Sequence, residues 1–163
     1  MVLREIDPER GKGAYKTRVA VAYAENAETA NKLAEGLIEP GSIIMTDESG
    51  AYSALSVFYD HQVVAHSHEF STIDGVNENQ AECYFSRLRR AEYGTYHGFR
   101  PDYLLDYAQE FAWREDFRRR TELDKLQDLA RRLFDAGMSC LWRGYWEGHK
   151  RPKSWIERPL LGL

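Results

Sequence analysis

An acidic side chain at the end of an apolar strand and a second one turn into an amphipathic helix are best placed in this sequence to do chemistry together. The first is Asp47, after Ser42-Ile43-Ile44-Met45-Thr46; the second is Glu82, in Asn79-Gln80-Ala81-Glu82. In open α/β sheets, ligands and catalytic groups collect at the C-terminal ends of strands. Two converging carboxylates offer hard oxygen ligands that suit Mg2+ or Mn2+. An ion so held can activate a water or a hydroxyl and stabilise a leaving oxygen in phosphoryl transfer. Arg89 follows Glu82 by two helical turns and Asn79 precedes it by about one, so all three share a side of the helix. Each feature has a plainer reading. Asp47 can cap the short helix that begins near Ser49-Gly50-Ala51, and Glu82 with Arg89 can be ordinary surface charge. The combination is what points to a metal.

The elements that position these residues are legible in order. Val2–Ile6 alternates weakly, Asp7-Pro8-Glu9-Arg10-Gly11 is a turn, and Lys16–Tyr23 reads as a strand, so the chain opens with a hairpin. A helix starts at Asn26-Ala27-Glu28-Thr29 and runs through Ile38, with Leu33, Leu37 and Ile38 inward, until Pro40-Gly41 stops it. Ser42–Thr46, almost wholly apolar, predicts a buried central strand. A short helix over Ala51–Phe58 and a strand over Gln62–Ala65 follow, and Glu69–Glu78 is polar and loop-like. From Asn79 the period is helical, with Ala81, Tyr84, Phe85 and Leu88 on one face; Gly94–Arg100 interrupts it. Two more helices are expected, over Pro101–Asp116 with Leu104, Tyr107, Ala108, Phe111 and Ala112 inward, and over Thr121–Ala136. Strands alternating with helices, then a helical second half, predict α/β architecture on one sheet. There is no internal repeat.

Composition narrows the function classes. At 163 residues the chain is long enough for one domain with a full core, 43% of its residues are apolar, and aromatic residues, at 13%, are in mild excess. Cys83 and Cys140 form no CxxC pair, which argues against a disulfide scaffold or zinc knuckle and suits a reducing cytoplasm. No apolar run approaches the roughly 20 residues that span a bilayer, and no signal-peptide core opens the chain. A net charge of -4 argues against coating nucleic acid by bulk electrostatics, but local phosphate neutralisation needs only local cations. These cluster at Arg87, Arg89 and Arg90, at Arg114 and Arg118–Arg120, and at Arg143, Lys150, Arg151 and Lys153. Solvated helix faces are the plainer reading of each cluster. The segment Trp142–Arg151 mixes aromatics with cations; it can stack on bases and track phosphates, or pack on its own domain or a second subunit.

Several stretches, in order, resemble one family. Thr46-Asp47-Glu48-Ser49-Gly50-Ala51-Tyr52 resembles the TDE-x-x-x-Y segment around the second Asp of DDE-type bacterial insertion-sequence transposases of the ISXO2-like kind. Val64-Ala65-His66-Ser67 resembles their strand-end His-Ser, and Asn79–Arg90 resembles their N-x-x-E-x-x-[FW]-S-x-[LM]-[KR]-R helix. Gly94-Thr95-Tyr96-His97 and Tyr107–Arg114 are similar to the G-x-[YH]-H and Y-x-x-E-[FI]-A-[YW]-R signatures. The resemblance runs from about residue 16 to 120.

It implies a ribonuclease H-like (retroviral-integrase-like) mixed sheet flanked by helices, with extra C-terminal helices. It also implies metal-dependent cleavage and joining of DNA at element ends. Asp47 corresponds to the second metal-binding acid and Glu82 to the third, with Asn79 competing for that role; Arg89, with Arg87 and Arg90, is assigned to DNA phosphate. His66, His97 and Glu110 fit the pattern chiefly as packing residues. The family's first Asp lies on a strand ahead of the hairpin, and no such strand precedes Val2 here; Asp7, in a turn before Pro8, is a poor substitute. Nor is there an upstream end-recognition domain.

The expectation is therefore an N-terminally truncated transposase catalytic domain over residues 1–136 with an aromatic, basic tail over 137–163. It is expected to be cytoplasmic and inactive alone, to bind Mg2+ or Mn2+ weakly and double-stranded DNA as a homodimer, and to have no membrane partner. Two alternatives are a domesticated, non-enzymatic DNA-binding or dimerisation module, and a standalone structure-selective nuclease of the same fold. A homodimer is expected because a missing first strand leaves a sheet edge for a partner to cover.

Overall fold

A computed structural model describes residues 1–6, 13–22, 24–64, 79–136 and 145–148. The opening hairpin is present: β1 (Val2–Ile6) pairs antiparallel with β2 (Ala14–Val19), from Val2 opposite Val19 to Ile6 opposite Ala14, with an irregularity between Glu5 and Ile6. The hairpin docks on the helices through Gly13, whose positive φ of 68° and close neighbour Gln80 leave little room for a side chain. Gln80 Oε1 accepts from the Ala14 N–H at 3.3 Å.

α1 (Ala27–Leu37) begins where Asn26 caps it, its side chain accepting from the Thr29 N–H at 2.9 Å. It ends before a turn in which Ser42 N–H bonds Glu39 C=O and Gly41 takes φ +82° after Pro40. That is the glycine position of a type II turn. β3 (Ile43–Thr46) pairs parallel with β4 (Asp60–Val63), from Ile43 opposite Asp60 to Thr46 opposite Val63. Residues 47–59 supply the crossover that parallel pairing requires, and Gly50–Val57 of it is a 3-10 helix. Ala34 of α1, Ile44 of β3, and Leu55 and Tyr59 of the crossover form a core cluster, flanked by Ile38 and Tyr52.

The second half is helical, as its periodicity predicts. α2 (Asn79–Ala91) runs into a π-helical turn (Glu92–Tyr96) and then His97 in the left-handed region, the interruption expected from Gly94 onward. A short 3-10 turn (Pro101–Tyr103) leads into α3 (Leu104–Asp116). α4 (Glu122–Ala136) opens on a reciprocal cap: Thr121 Oγ1 accepts from Asp124 N–H and Asp124 Oδ2 from Thr121 N–H. Tyr145–Glu147 forms one further 3-10 turn. Among the described residues, no helix is long and apolar enough to cross a membrane.

The single sheet expected from sequence is corrected. Among the described residues the strands form two separate two-stranded sheets, one antiparallel and one parallel. The hairpin closes locally and the parallel pair closes through its own crossover, and no described strand joins them. The principal packing contacts follow the same division. β1 and β2 pack with α2 and α3, whereas β3 and β4 pack with the 3-10 helix Gly50–Val57, which lies on α1. The buried central strand is corrected too: Ile44 and Thr46 are buried, but Ile43 is 59% exposed, so β3 presents one covered face and one open one.

Candidate metal and nucleic-acid site

Asp47 stands at the C-terminal end of β3, half-buried, immediately after the buried Thr46. Its carboxylate Oδ1 accepts from the Ser49 N–H at 3.1 Å, and Ser49 Oγ in turn caps the 3-10 helix through the Ala51 N–H. The capping role weighed from sequence thus falls to Ser49, while Asp47 braces the turn with one of its two oxygens. The Thr46 hydroxyl donates to the Asp47 carbonyl at 2.8 Å and lies 2.8 Å from His61 Nε2 on β4. The second contact joins β4 to β3 through their side chains. This cross-strand tie fixes the backbone that carries Asp47. His61 gave no sequence signal, because its role depends on the register that sets β4 beside β3.

Glu82 lies in the first turn of α2 and is exposed; Arg89 and Arg90 lie in the last turn, also exposed. Glu82 and Arg89 are thus carried on the solvent side of one helix, as their spacing predicts. Asn79 opens α2. Glu82 belongs to the hairpin-and-helix group of elements and Asp47 to the parallel-strand group, each group making its principal contacts within itself. Among the described residues, no three His, Cys, Asp or Glu side chains gather as a metal-binding group. Asp7, His66 and the aromatic segment Trp142–Arg151, apart from residues 145–148, lie outside the described residues.

Arg87 is turned inward. Its guanidinium is ion-paired with Glu115 of α3, and the same carboxylate lies 3.6 Å from Arg4 of β1. Arg4 also donates to the Gln80 carbonyl at 2.8 Å. Asp116, next to Glu115, accepts from the Thr17 N–H at 3.0 Å and its hydroxyl at 2.7 Å, clamping β2 to the end of α3. Burial pushes the Asp116 carboxyl above its ordinary range, against the pull of the two Thr17 bonds and of Arg4 and Arg18. Sequence reasoning missed this network, because Arg4, Arg87 and Glu115 come together only in the folded chain.

The two aromatic signatures interlock. The Tyr96 ring lies 4.8 Å from Tyr107 and 6.1 Å from Phe111, and Phe99 stacks on Tyr107 at 4.6 Å. The Tyr96 hydroxyl donates to Glu110 at 2.8 Å, and Glu110 also receives Arg114. Burial would raise the Glu110 carboxyl, but the bonds from Arg114 and Tyr96 outweigh it and hold it below its ordinary range. Glu110 therefore joins the turn after α2 to α3, a packing role. His97 is exposed and holds the left-handed turn.

No curated protein and no solved structure matches the chain. Residues 1–116, from the start of the hairpin to the last residue of α3, match the ISXO2-like transposase domain. The match covers well over half of the sequence and takes in Asp47, Glu82 and both aromatic signatures. The chain belongs to the ISXO2-like transposase domain family.

Proposed function

We propose that this protein is the catalytic domain of a DDE-type transposase, of ribonuclease H-like architecture, acting on double-stranded DNA at element ends. Residues 1–136 form the working core and 137–163 a basic, aromatic extension. The observation that carries the reading is the family match across Asp47 and Glu82 together. Family membership supports this class of chemistry and supports DNA as the partner.

In this reading Asp47 and Glu82 are the carboxylates that hold a divalent ion, Mg2+ or Mn2+. The donor set fits such an ion in kind, since both groups are hard oxygen ligands. When bound, the ion supplies activation of a water or 3′-hydroxyl and relief of charge on the leaving oxygen. Asp47 is already oriented by its bond to the Ser49 N–H and by the Thr46–His61 tie. Arg89 and Arg90, exposed at the end of α2, lie on the same helix as Glu82 and meet DNA phosphate. Arg87 contributes by bracing α2 on α3. Asp47 and Glu82 stand for two of the acids that such a reading requires. A non-enzymatic DNA-binding module draws equal support from the exposed arginines and differs in needing no metal.

The arginine assignment is tested by fluorescence anisotropy of a labelled duplex over a salt series. Arg89→Gln with Arg90→Gln is expected to weaken binding about equally on all sequences and to lower the salt slope by about 2. Unchanged affinity and slope would remove α2 from the DNA interface.

A further inference from the structure

Most of the aromatic side chains around the turn after α2 pack on one another, and one does not. Tyr96, Phe99, Tyr107 and Phe111 share ring contacts. Tyr93 is 78% exposed and makes no ring contact among the described residues. Its neighbours Gly94 and Thr95 are exposed, and nothing lies within 4 Å of where a Gly94 side chain would begin, so the surface beside Tyr93 is open. The turn that carries it is π-helical, a rare conformation found frequently at functional sites.

An exposed tyrosine alone needs no explanation. The position of this one does. Viewed down the helix at roughly 100° per residue, Tyr93 falls between Arg89 and Arg90, about one turn beyond them. Both arginines are exposed and form no ion pair among the described residues. By contrast, Arg4 and Arg87 meet Glu115, Arg114 meets Glu110, and Arg131 and Arg132 meet Asp128. The end of α2 therefore holds two uncommitted cations with an uncommitted ring between them. Cations of this kind track phosphates, and an aromatic ring stacks on any base whose face is free. Inside a closed duplex the base faces are covered by their neighbours, and freeing one costs unstacking and unpairing.

We infer that the end of α2 binds an unpaired nucleotide of DNA, the Tyr93 ring stacking on its base and Arg89 and Arg90 meeting the flanking phosphates. This rests on the reading that α2 faces DNA, and adds the substrate class: a partly single-stranded end in place of a closed duplex. Glu82 and Arg89 lie on one side of α2, and from Glu82 to Tyr93 the helix rises about 16 Å. About five stacked nucleotides of one strand cover that distance. A strand stacked at Tyr93 thus runs along α2 toward Glu82.

The test is fluorescence anisotropy of the full chain with labelled duplexes that are blunt or carry about five unpaired nucleotides at a 3′ or a 5′ end, the length set by that span. Wild type should bind at least one overhang about tenfold more tightly than the blunt duplex. Tyr93→Phe should keep most of that preference and Tyr93→Ala should lose it, because stacking needs the ring and not the hydroxyl. The ratio of wild-type to Tyr93→Ala affinity for the overhang should not change with salt, since stacking releases no counterions. Equal affinity of wild type for all the duplexes, a preference that Tyr93→Ala retains, or a ratio that falls with salt would overturn the inference. Binding to no duplex would sink the DNA reading and this inference with it. Blunt binding that Arg89→Gln with Arg90→Gln weakens, with nothing gained from unpaired nucleotides, would sink this inference alone.

Discussion

Glu115→Ala is expected to lower the unfolding free energy by about 3 kcal/mol or more, the cost of stranding a buried charge whose partner has gone. The Glu115 side chain is only 8% exposed and that of Arg4 5%, so neither charge has much access to water. Glu115 meets both Arg4 and Arg87, and so holds β1, α2 and α3 to a single point. Desolvation already lowers the pKa of Arg4, with Glu115 and then Asp116 working against that fall. Arg4 Nε is buried without a hydrogen-bond partner, so the carboxylate is the main compensation this guanidinium has. Removing it leaves two arginines facing each other. For a chain of this length the loss corresponds to a fall in melting temperature of about 6 to 12 °C. Replacing Arg4 by Met and Glu115 by Leu together should cost much less, because no charge is then left unpaired. A single Glu115→Ala variant that melts with wild type would show that the network contributes nothing.

Tyr84→Ala should be comparably severe, at about 3 to 5 kcal/mol. Tyr84 is 1% exposed, the largest fully buried side chain among the described residues, and its ring meets Phe85 edge-on. Its hydroxyl donates to the Ala108 carbonyl at 2.7 Å and so ties α2 to α3. Burial pushes that hydroxyl well above its ordinary ionisation range, with Arg4 opposing the shift. Tyr84→Phe keeps the ring and removes only the bond, and is expected to cost about 1 kcal/mol. Urea unfolding of the two variants separates cavity from hydrogen bond. Equal losses would place the whole effect in the hydroxyl.

The elements were legible in the sequence where the cause is local. Asn26 caps α1 and Pro40-Gly41 ends it because capping and turn geometry are decided within four residues. The period of α2 and α3 told much of their inward faces, with Tyr84, Ala108 and Ala112 buried as expected, but Phe85, expected beside Tyr84, is exposed because it sits at the edge of the covered stripe. Pairing was less legible. A run such as Ile43-Ile44-Met45 reports that a strand is apolar and says nothing of what covers each face, so the exposure of Ile43 was not foreseen. Nor was the division into two sheets, since sheet order depends on long-range contacts.

The candidate site divides the same way. Asp47 at a strand end and Glu82 on a solvent-facing helix side were both readable from spacing. The inward turn of Arg87 toward Glu115, the tie from His61 to Thr46 and the anchor from Trp113 to Asp128 join residues far apart in the chain. Only the fold reveals such pairs.

The transposase reading turns on whether Asp47 and Glu82 hold one ion between them. Free Mn2+ measured by electron paramagnetic resonance during titration, with wild type, Asp47→Ala, Glu82→Ala and the double variant, asks this directly. Uptake by wild type should be weak but measurable and should fall at least about tenfold in each single variant. The double variant should be little worse than either, since ligands of one ion are not additive. Equal Mn2+ uptake by wild type and Asp47→Ala, or losses that simply add, would mean that the two carboxylates do not share a metal.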